Sequence, residues 1–146
     1  MHDKEIQRKR QNRIFFEIPG AGHEAILTAA GMVSRPGSDW SIPYYRDRAF
    51  CLQQGVTPAE MFYEAVGAAV DPASGGRQMP SPWGHAAYNI VSSAQPTGPH
   101  LLQDVGIAEA HMRAKVRGRN SIGGASRAWS RMAAKRHAGS RPIIAR

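Results

Sequence analysis

No acidic residue follows Glu109, and beyond about Arg113 the apolar periodicity that could order a chain fails as well. Arg, Gly, Ser and Ala dominate from there on, a composition that cannot bury enough apolar surface to offset its ordering entropy. Whatever folds must therefore fit into residues 1–112, enough for one domain and no more. Residues 1–110 hold all eleven acids but nine of the 19 basic residues, a net charge of −2. The other ten basic residues lie between Arg113 and Arg146, so the formal charge of +8 describes that segment and not the body. The expected organisation is a domain over 1–112 and a basic, disordered tail over 113–146.

One cysteine, Cys51, excludes a disulfide framework and suits a reducing compartment. Set among Ala49, Phe50 and Leu52, it reads as a buried structural thiol. No apolar run approaches the ~20 residues of a membrane span. The polar N-terminus, with Asp3 and Glu5, resembles neither a signal nor a transit peptide. A cytoplasmic protein without membrane contact is the expectation.

Along the body, Asp3 to Phe16 reads as a largely solvated helix with Ile6 and Ile14 as its apolar contacts. Its run Arg8-Lys9-Arg10 is a solvated face or a phosphate contact. After the break at Pro19-Gly20-Ala21-Gly22, the residues Gly22, Ala25, Ile26, Ala29, Ala30 and Val33 repeat at helical spacing. They predict a helix burying a small-residue face close to a neighbour. His23, in its first turn, reads as a packing residue. Arg46 to Gln54 predicts a short helix stopped by Gly55. Thr57-Pro58-Ala59-Glu60 predicts a capping box opening a helix that buries Phe62, Ala65, Val66 and Ala69 and ends at Val70-Asp71-Pro72. Ala87 to Ser93 suggests a short strand, and Thr97-Gly98-Pro99 a last helix with Leu101, Leu102, Val105, Ala108 and Met112 inward.

Two stretches carry chemistry. In Asp39-Trp40-Ser41-Ile42-Pro43-Tyr44-Tyr45-Arg46-Asp47-Arg48, three aromatic rings and two guanidinium groups fall within ten residues. Pro43 favours an extended entry, which would put Tyr45 and Arg46 where the chain turns into helix and N–H groups lack partners. A guanidinium there suits a phosphate; the plainer alternative is a Tyr/Arg-rich surface turn with an Arg–Asp pair. The second stretch is the irregular run from Ser74 to His85. Its paired glycines allow close backbone approach, Arg77 can hold an anion, and Met79 and Trp83 can wall an apolar site. A Pro/Gly linker is the alternative, though Met and Trp are not linker residues. There is no repeat, zinc spacing, Walker motif or serine-nucleophile motif, and the six histidines form no metal pair.

Gly22-His23-Glu24-Ala25, Tyr45-Arg46-Asp47-Arg48, Gly76-Arg77-Gln78-Met79-Pro80 and Val105-Gly106-Ile107-Ala108-Glu109-Ala110 occur in that order. With them the chain resembles the amino-terminal part of the α region of thiamine-diphosphate-dependent 2-oxo acid dehydrogenases, of the branched-chain (2-oxoisovalerate dehydrogenase) type. The likeness spans residues 3–112, and Gly-Arg-Gln-Met-Pro is its most specific motif. It implies an α/β, helix-rich, partial thiamine-diphosphate-binding fold whose parallel sheet is incomplete in this chain. It also implies thiamine diphosphate with Mg²⁺ as cofactors, and a β subunit or β region and a lipoyl-bearing acyltransferase as partners. The implied activity is oxidative decarboxylation of branched-chain 2-oxo acids with acyl transfer to lipoamide. Tyr45 and Arg46 match the pair that holds the diphosphate, and Arg77, Met79 and Trp83 lie in the match to the substrate-channel loop.

Several positions depart from that pattern. Met79-Pro80-Ser81-Pro82 lacks the family's histidine in Met-Pro-x-His, and Ala94, Gln95, Pro96, Pro99 and His100 replace a Ser-Ser-Pro and Thr-Gln site. No Gly-Asp/Glu-Gly motif follows, and a segment without carboxylates cannot ligate Mg²⁺. No catalytic and no metal-binding residue is assigned. The expectation is a truncated or degenerate subunit, inactive alone, with 113–146 either a genuine tail or the product of a shifted reading frame. The alternative is a small basic protein binding nucleic acid or another polyanion through residues 113–146.

Overall fold

The computed structural model describes residues 2–92, 96 and 98–113. These form helices α1 (His2–Arg10), α2 (Glu24–Val33), α3 (Arg48–Gln54), α4 (Pro58–Ala65) and α5 (Pro99–Arg113), with a one-turn 3₁₀ helix at Ala86–Tyr88. The architecture is helix-rich. Among the described residues no extended strand forms. The span expected as a strand from Ala87 is instead a 3₁₀ turn followed by single β-bridges of Ile90 to Ser41 and to His85. Asn89, in a left-handed conformation at φ 53°, redirects the chain after that turn and interrupts any longer pairing. None of the described helices is long and apolar enough to cross a membrane.

The local signals act as their chemistry demands. At the start of α4 the Thr57 N–H donates to Glu60 Oε2 at 2.7 Å, and the Glu60 N–H donates to Thr57 Oγ1 at 3.3 Å. That reciprocal pair, mainly through the Thr57 N–H, holds the Glu60 carboxyl below its usual range. α3 ends at Gly55, whose φ of 110° only glycine adopts readily. The absent side chain also makes room for the Tyr88 ring, whose Cζ would lie 2.9 Å from an added Cβ.

The core comprises Phe50, Cys51, Val56, Met61, Trp83 and Ile90, with Leu27, Ala30 and Tyr88 against it. Cys51 is the buried thiol expected, and burial raises its pKa well above the ordinary value. Which faces meet that core differs from the periodicity. α2 buries the stripe of Leu27, Ala30, Gly31 and Ser34 against α3, while Ile26 and Val33 are each 70 % exposed. A Cβ on Gly31 would overlap the Gln53 side chain, and Gln54 Nε2 donates to the Gly31 carbonyl at 3.2 Å. α4 buries Met61 and Glu64 and stops at Ala65, so Phe62 and Ala65 are half-buried while Val66 and Ala69 are exposed. On α5, Leu101, Leu102, Val105 and Met112 are exposed, whereas Ile107, Ala108 and His111 are half-buried.

α1 is shorter than expected. Its Glu5 is buried against Arg48, while Arg8, Lys9 and Arg10 are exposed. The expected basic tail lies outside the described residues except for Arg113. That residue closes α5 and pairs with Glu109 at 2.6 Å.

Candidate functional site

Tyr44 to Asp47 is a tight corner closed from both sides. The Asp47 N–H donates to the Tyr44 carbonyl at 2.8 Å, and the Tyr44 N–H donates to Asp47 Oδ2 at 2.9 Å. Such a turn puts its two central residues, Tyr45 and Arg46, at the tip. Arg46 is then held from two directions. Its Nη1 donates to the Pro19 carbonyl at 2.6 Å, and its guanidinium lies 5.4 Å from the centroid of the Tyr45 ring. Gly20 admits this approach, since a Cβ there would come 2.8 Å from the Arg46 carbonyl oxygen. The structure therefore joins the Pro-Gly break before α2 to the Tyr-Arg pair before α3. α3 begins at Arg48, two residues later than the sequence suggests, with the Asp47 carboxylate beside its start. Arg46 is thus fixed by the corner and by Pro19, not by the helix.

Behind the corner lies a cavity of about 520 Å³ between α2, Ser41–Asp47 and the start of α5. Ile26, Leu27, Ile42, Pro43, Phe50 and Leu101 supply apolar walls, and Ser41, Asp47, His100 and Asp104 the polar groups. Burial pushes the Asp47 and Asp104 carboxyls above their usual values, against the opposing pull of His100 on both. The Tyr44 ring bridges the region, 3.8 Å from the Tyr45 centroid and 5.7 Å from that of His100.

The second stretch is organised by one carboxylate. Asp71, 5 % exposed, accepts from the N–H groups of Ala73, Ser74 and Gly76 and from Ser74 Oγ. Beyond this turn Arg77 is exposed, with Nε donating to the Ser74 carbonyl at 2.7 Å, and Met79 is 46 % exposed. Trp83, expected as an apolar wall, is instead 4 % exposed and part of the core. None of Arg77, Met79 and Trp83 lines the cavity behind Tyr44, so the two candidate stretches do not share it.

The periodicity left unremarked a charge set of buried Glu5 of α1, half-buried Arg48 of α3 and buried Glu64 of α4, at 2.8 Å between Arg48 Nη1 and Glu5 Oε2. Its one sequence signal is Glu64 standing three residues after Met61 on the same helix face. Among the described residues no group of three or more His, Cys, Asp or Glu side chains gathers as metal ligands do. Among the described residues the donor set does not fit Mg²⁺.

The family described as dehydrogenase E1 component matches this chain over residues 1–128. The chain is 36 % identical over 101 residues to the 2-oxoisovalerate dehydrogenase subunit alpha of Bacillus subtilis (strain 168), covering 69 % of this chain and 31 % of that protein. To the mitochondrial 2-oxoisovalerate dehydrogenase subunit alpha 1 of Arabidopsis thaliana it is 32 % identical over 101 residues, covering 69 % of this chain and 21 % of that protein. It thus spans less than a third of the length of these curated relatives.

Proposed function

The chain belongs to the dehydrogenase E1 component family, and from that premise we propose that it supplies the diphosphate-binding corner of a thiamine-diphosphate-dependent decarboxylating dehydrogenase for branched-chain 2-oxo acids. The observation that supports this reading is the fixed Arg46. Its guanidinium is held by Pro19 and Tyr45 at the tip of a rigid turn, in a half-buried position where solvent screens an anion less. Such a group fits the diphosphate end of the cofactor, with Tyr45 beside it. Bound thiamine diphosphate would supply the nucleophilic carbon and the sink for electrons released with carbon dioxide. What the protein's own residues contribute is charge neutralisation by Arg46 and orientation by Tyr45.

In this reading Arg77 and Met79 form the outer edge of the substrate channel, and Trp83 anchors that loop to the core. The exposed apolar faces of α2 and α5 are surfaces for a β subunit or β region, and a lipoyl-bearing acyltransferase takes up the acyl group. The parallel sheet of an α/β fold belongs to the larger assembly, to which residues 1–112 contribute the helical part. Residues 113–146 carry ten basic side chains and no acidic one. No carboxylate set in the described residues fits Mg²⁺, so the 146-residue chain alone should not decarboxylate 2-oxo acids. Cofactor affinity should be in the millimolar range, about 4 kcal/mol.

Isothermal titration of the 146-residue chain with thiamine diphosphate tests this directly. Weak binding that Arg46→Ala abolishes is expected. Equal binding by wild type and Arg46→Ala would remove the corner from the site. Turnover above the free-cofactor background would disprove inactivity of the isolated chain.

A further inference from the structure

Away from the Tyr45–Arg46 corner, buried charge gathers where α1, α3 and α4 meet the 77–83 loop. Glu5 is 1 % and Glu64 5 % exposed. Arg48 pairs with Glu5, and its guanidinium lies 5.7 Å from the centroid of the Trp83 ring. Glu64 Oε1 accepts the Ser81 N–H at 2.9 Å. Ser81 is 3 % exposed and held at φ 80°, a left-handed conformation that a serine keeps only when its surroundings impose it. One hydrogen bond thus fastens the strained residue of the loop to a helix.

Two carboxyls share the field of one guanidinium. With both ionised, Glu5, Arg48 and Glu64 carry a buried net charge of −1, and the buried Asp71 adds to it. With Glu64 protonated, Glu5 and Arg48 are left as a neutral pair. Glu17 lines the same small space, and Glu60 precedes Glu64 by one turn of α4. Burial pushes the Glu64 carboxyl up to about 7, with Asp71 and Glu5 adding to the rise and the Ser81 N–H and Arg48 opposing it.

We propose that Glu64 and Ser81 form a proton-operated latch, in which the protonated carboxyl holds the 77–83 loop against α4 and ionisation releases it. Protonated Glu64 keeps its carbonyl oxygen as acceptor for the Ser81 N–H. Release admits water to the carboxyl, which then returns towards its ordinary 4.5. The state with the higher proton affinity is the latched one, so protons favour closure and their loss favours opening. As pH rises from about 4.5 to about 7, opening should become easier by up to ~10-fold per pH unit, and above about 7, where both states are ionised, it should level off. The consequence for channel access rests on the role proposed above for the loop; the latch is measured without cofactor, so the two readings fail separately.

The test is amide exchange of Ser81 by NMR in the full 146-residue chain, corrected for intrinsic exchange, across pH values from about 4 to 8.5. Ser81 protection should fall by up to ~10-fold per unit between about pH 4.5 and about 7 and be constant above that. Glu64→Gln keeps a carbonyl acceptor and does not titrate, so its Ser81 protection should be flat. The amides of Cys51 and Met61, bonded to the Asp47 and Thr57 carbonyls, report global opening in the same spectra. Flat protection in the wild type, a pH dependence that survives Glu64→Gln, or Ser81 protection as high as that of Cys51 and Met61, so that it exchanges only by global opening, would each overturn the latch. The wild-type titration decides the matter even should the variant not fold.

Discussion

Where α1, α3 and α4 meet the 71–90 segment, Glu5, Gln54, Glu64 and Asp71 are no more than 5 % exposed beside Cys51, Met61 and Trp83. On α2 and α5, Ile26, Met32, Val33, Leu102, Val105 and Met112 are each at least 64 % exposed. One region thus buries polar groups while the other leaves apolar ones in water. In the first, several of these groups meet specific partners: Arg48 pairs with Glu5, the Ser81 N–H donates to Glu64, and Gln54 donates to the Gly31 carbonyl. A buried polar group costs little when it is satisfied. The second has no covering element among the described residues; α2 with α3 is the one helix pair there in extended contact. Hydrophobicity alone therefore does not say which residues carry the stability of this chain.

Truncations give the largest separation between the two regions. Met61→Ala, in the closed region, should cost about 3 kcal/mol in denaturant unfolding. Gly31→Ala should cost about 2 kcal/mol, because the added methyl meets Gln53 across the α2–α3 contact. If either variant proved neutral, the closed region would be looser than its burial indicates.

Glu64→Gln sharpens the comparison through pH. Below about 4.5 both folded and unfolded chains hold the Glu64 proton. Between 4.5 and about 7 the folded chain binds it and the unfolded chain does not, so wild-type stability falls as pH rises through that window. The variant escapes the loss. It should be more stable than wild type by about 2–3 kcal/mol at pH 8 and equal to it near pH 4.5. Glu60 has the opposite sign: its lowered carboxyl favours the folded state above its ordinary range, and that contribution fades as pH falls. Chemical denaturation at two pH values separates them. A Glu64→Gln advantage that did not grow with pH would contradict the burial argument.

Smaller effects follow at the edges. Thr57→Ala removes the side-chain half of the capping box and should cost about 1 kcal/mol. Leu102→Ala, on the exposed face of α5, should cost less than about 0.5 kcal/mol. A loss at Leu102 matching that at Met61 would mean that α5 is covered in solution and the contrast between the regions is false.

What could be read from the chain is what is local. The Thr57 box, the Gly55 stop and the buried Cys51 depend on residues within a few positions of one another, and all three occur. α2 shows where reading stops. Gly22, Ala25, Ile26, Ala29, Ala30 and Val33 form one stripe, and Leu27, Ala30, Gly31 and Ser34 another at the same spacing that shares Ala30 with it. A 3.6-residue period fits both, so only the tertiary partner chooses. Here the choice falls on the stripe whose Gly31 lets α3 approach. The same holds for α4, where Met61 and Glu64 displace the more apolar face of Val66 and Ala69, because Glu64 finds Ser81 and the charge pair beyond it. At the candidate site, Tyr45 and Arg46 stood out by composition, but the Pro19 carbonyl that fixes Arg46 lies 27 residues away. Trp83 was conspicuous for its type, and only its contacts place it inside.

The Asp71 turn has a consequence for how the chain reaches this arrangement. Between the end of α4 and Ala86 the chain must bridge a long stretch with no helix of its own. Four donors converge on one side chain over Asp71–Gly76, and the Asp71 carbonyl receives the Gly75 N–H at 2.9 Å. This part can close by itself, with a search over six neighbouring residues. Once formed, it shortens the span that must still be brought together when Trp83 finds the core, and each halving of a free loop removes about 0.6 kcal/mol of closure entropy. Extra residues inserted between Arg77 and Pro80 would lengthen only that remaining span, whereas a single one within 71–76 would dismantle the turn. The chain's tolerance for length changes is thus divided at Gly76.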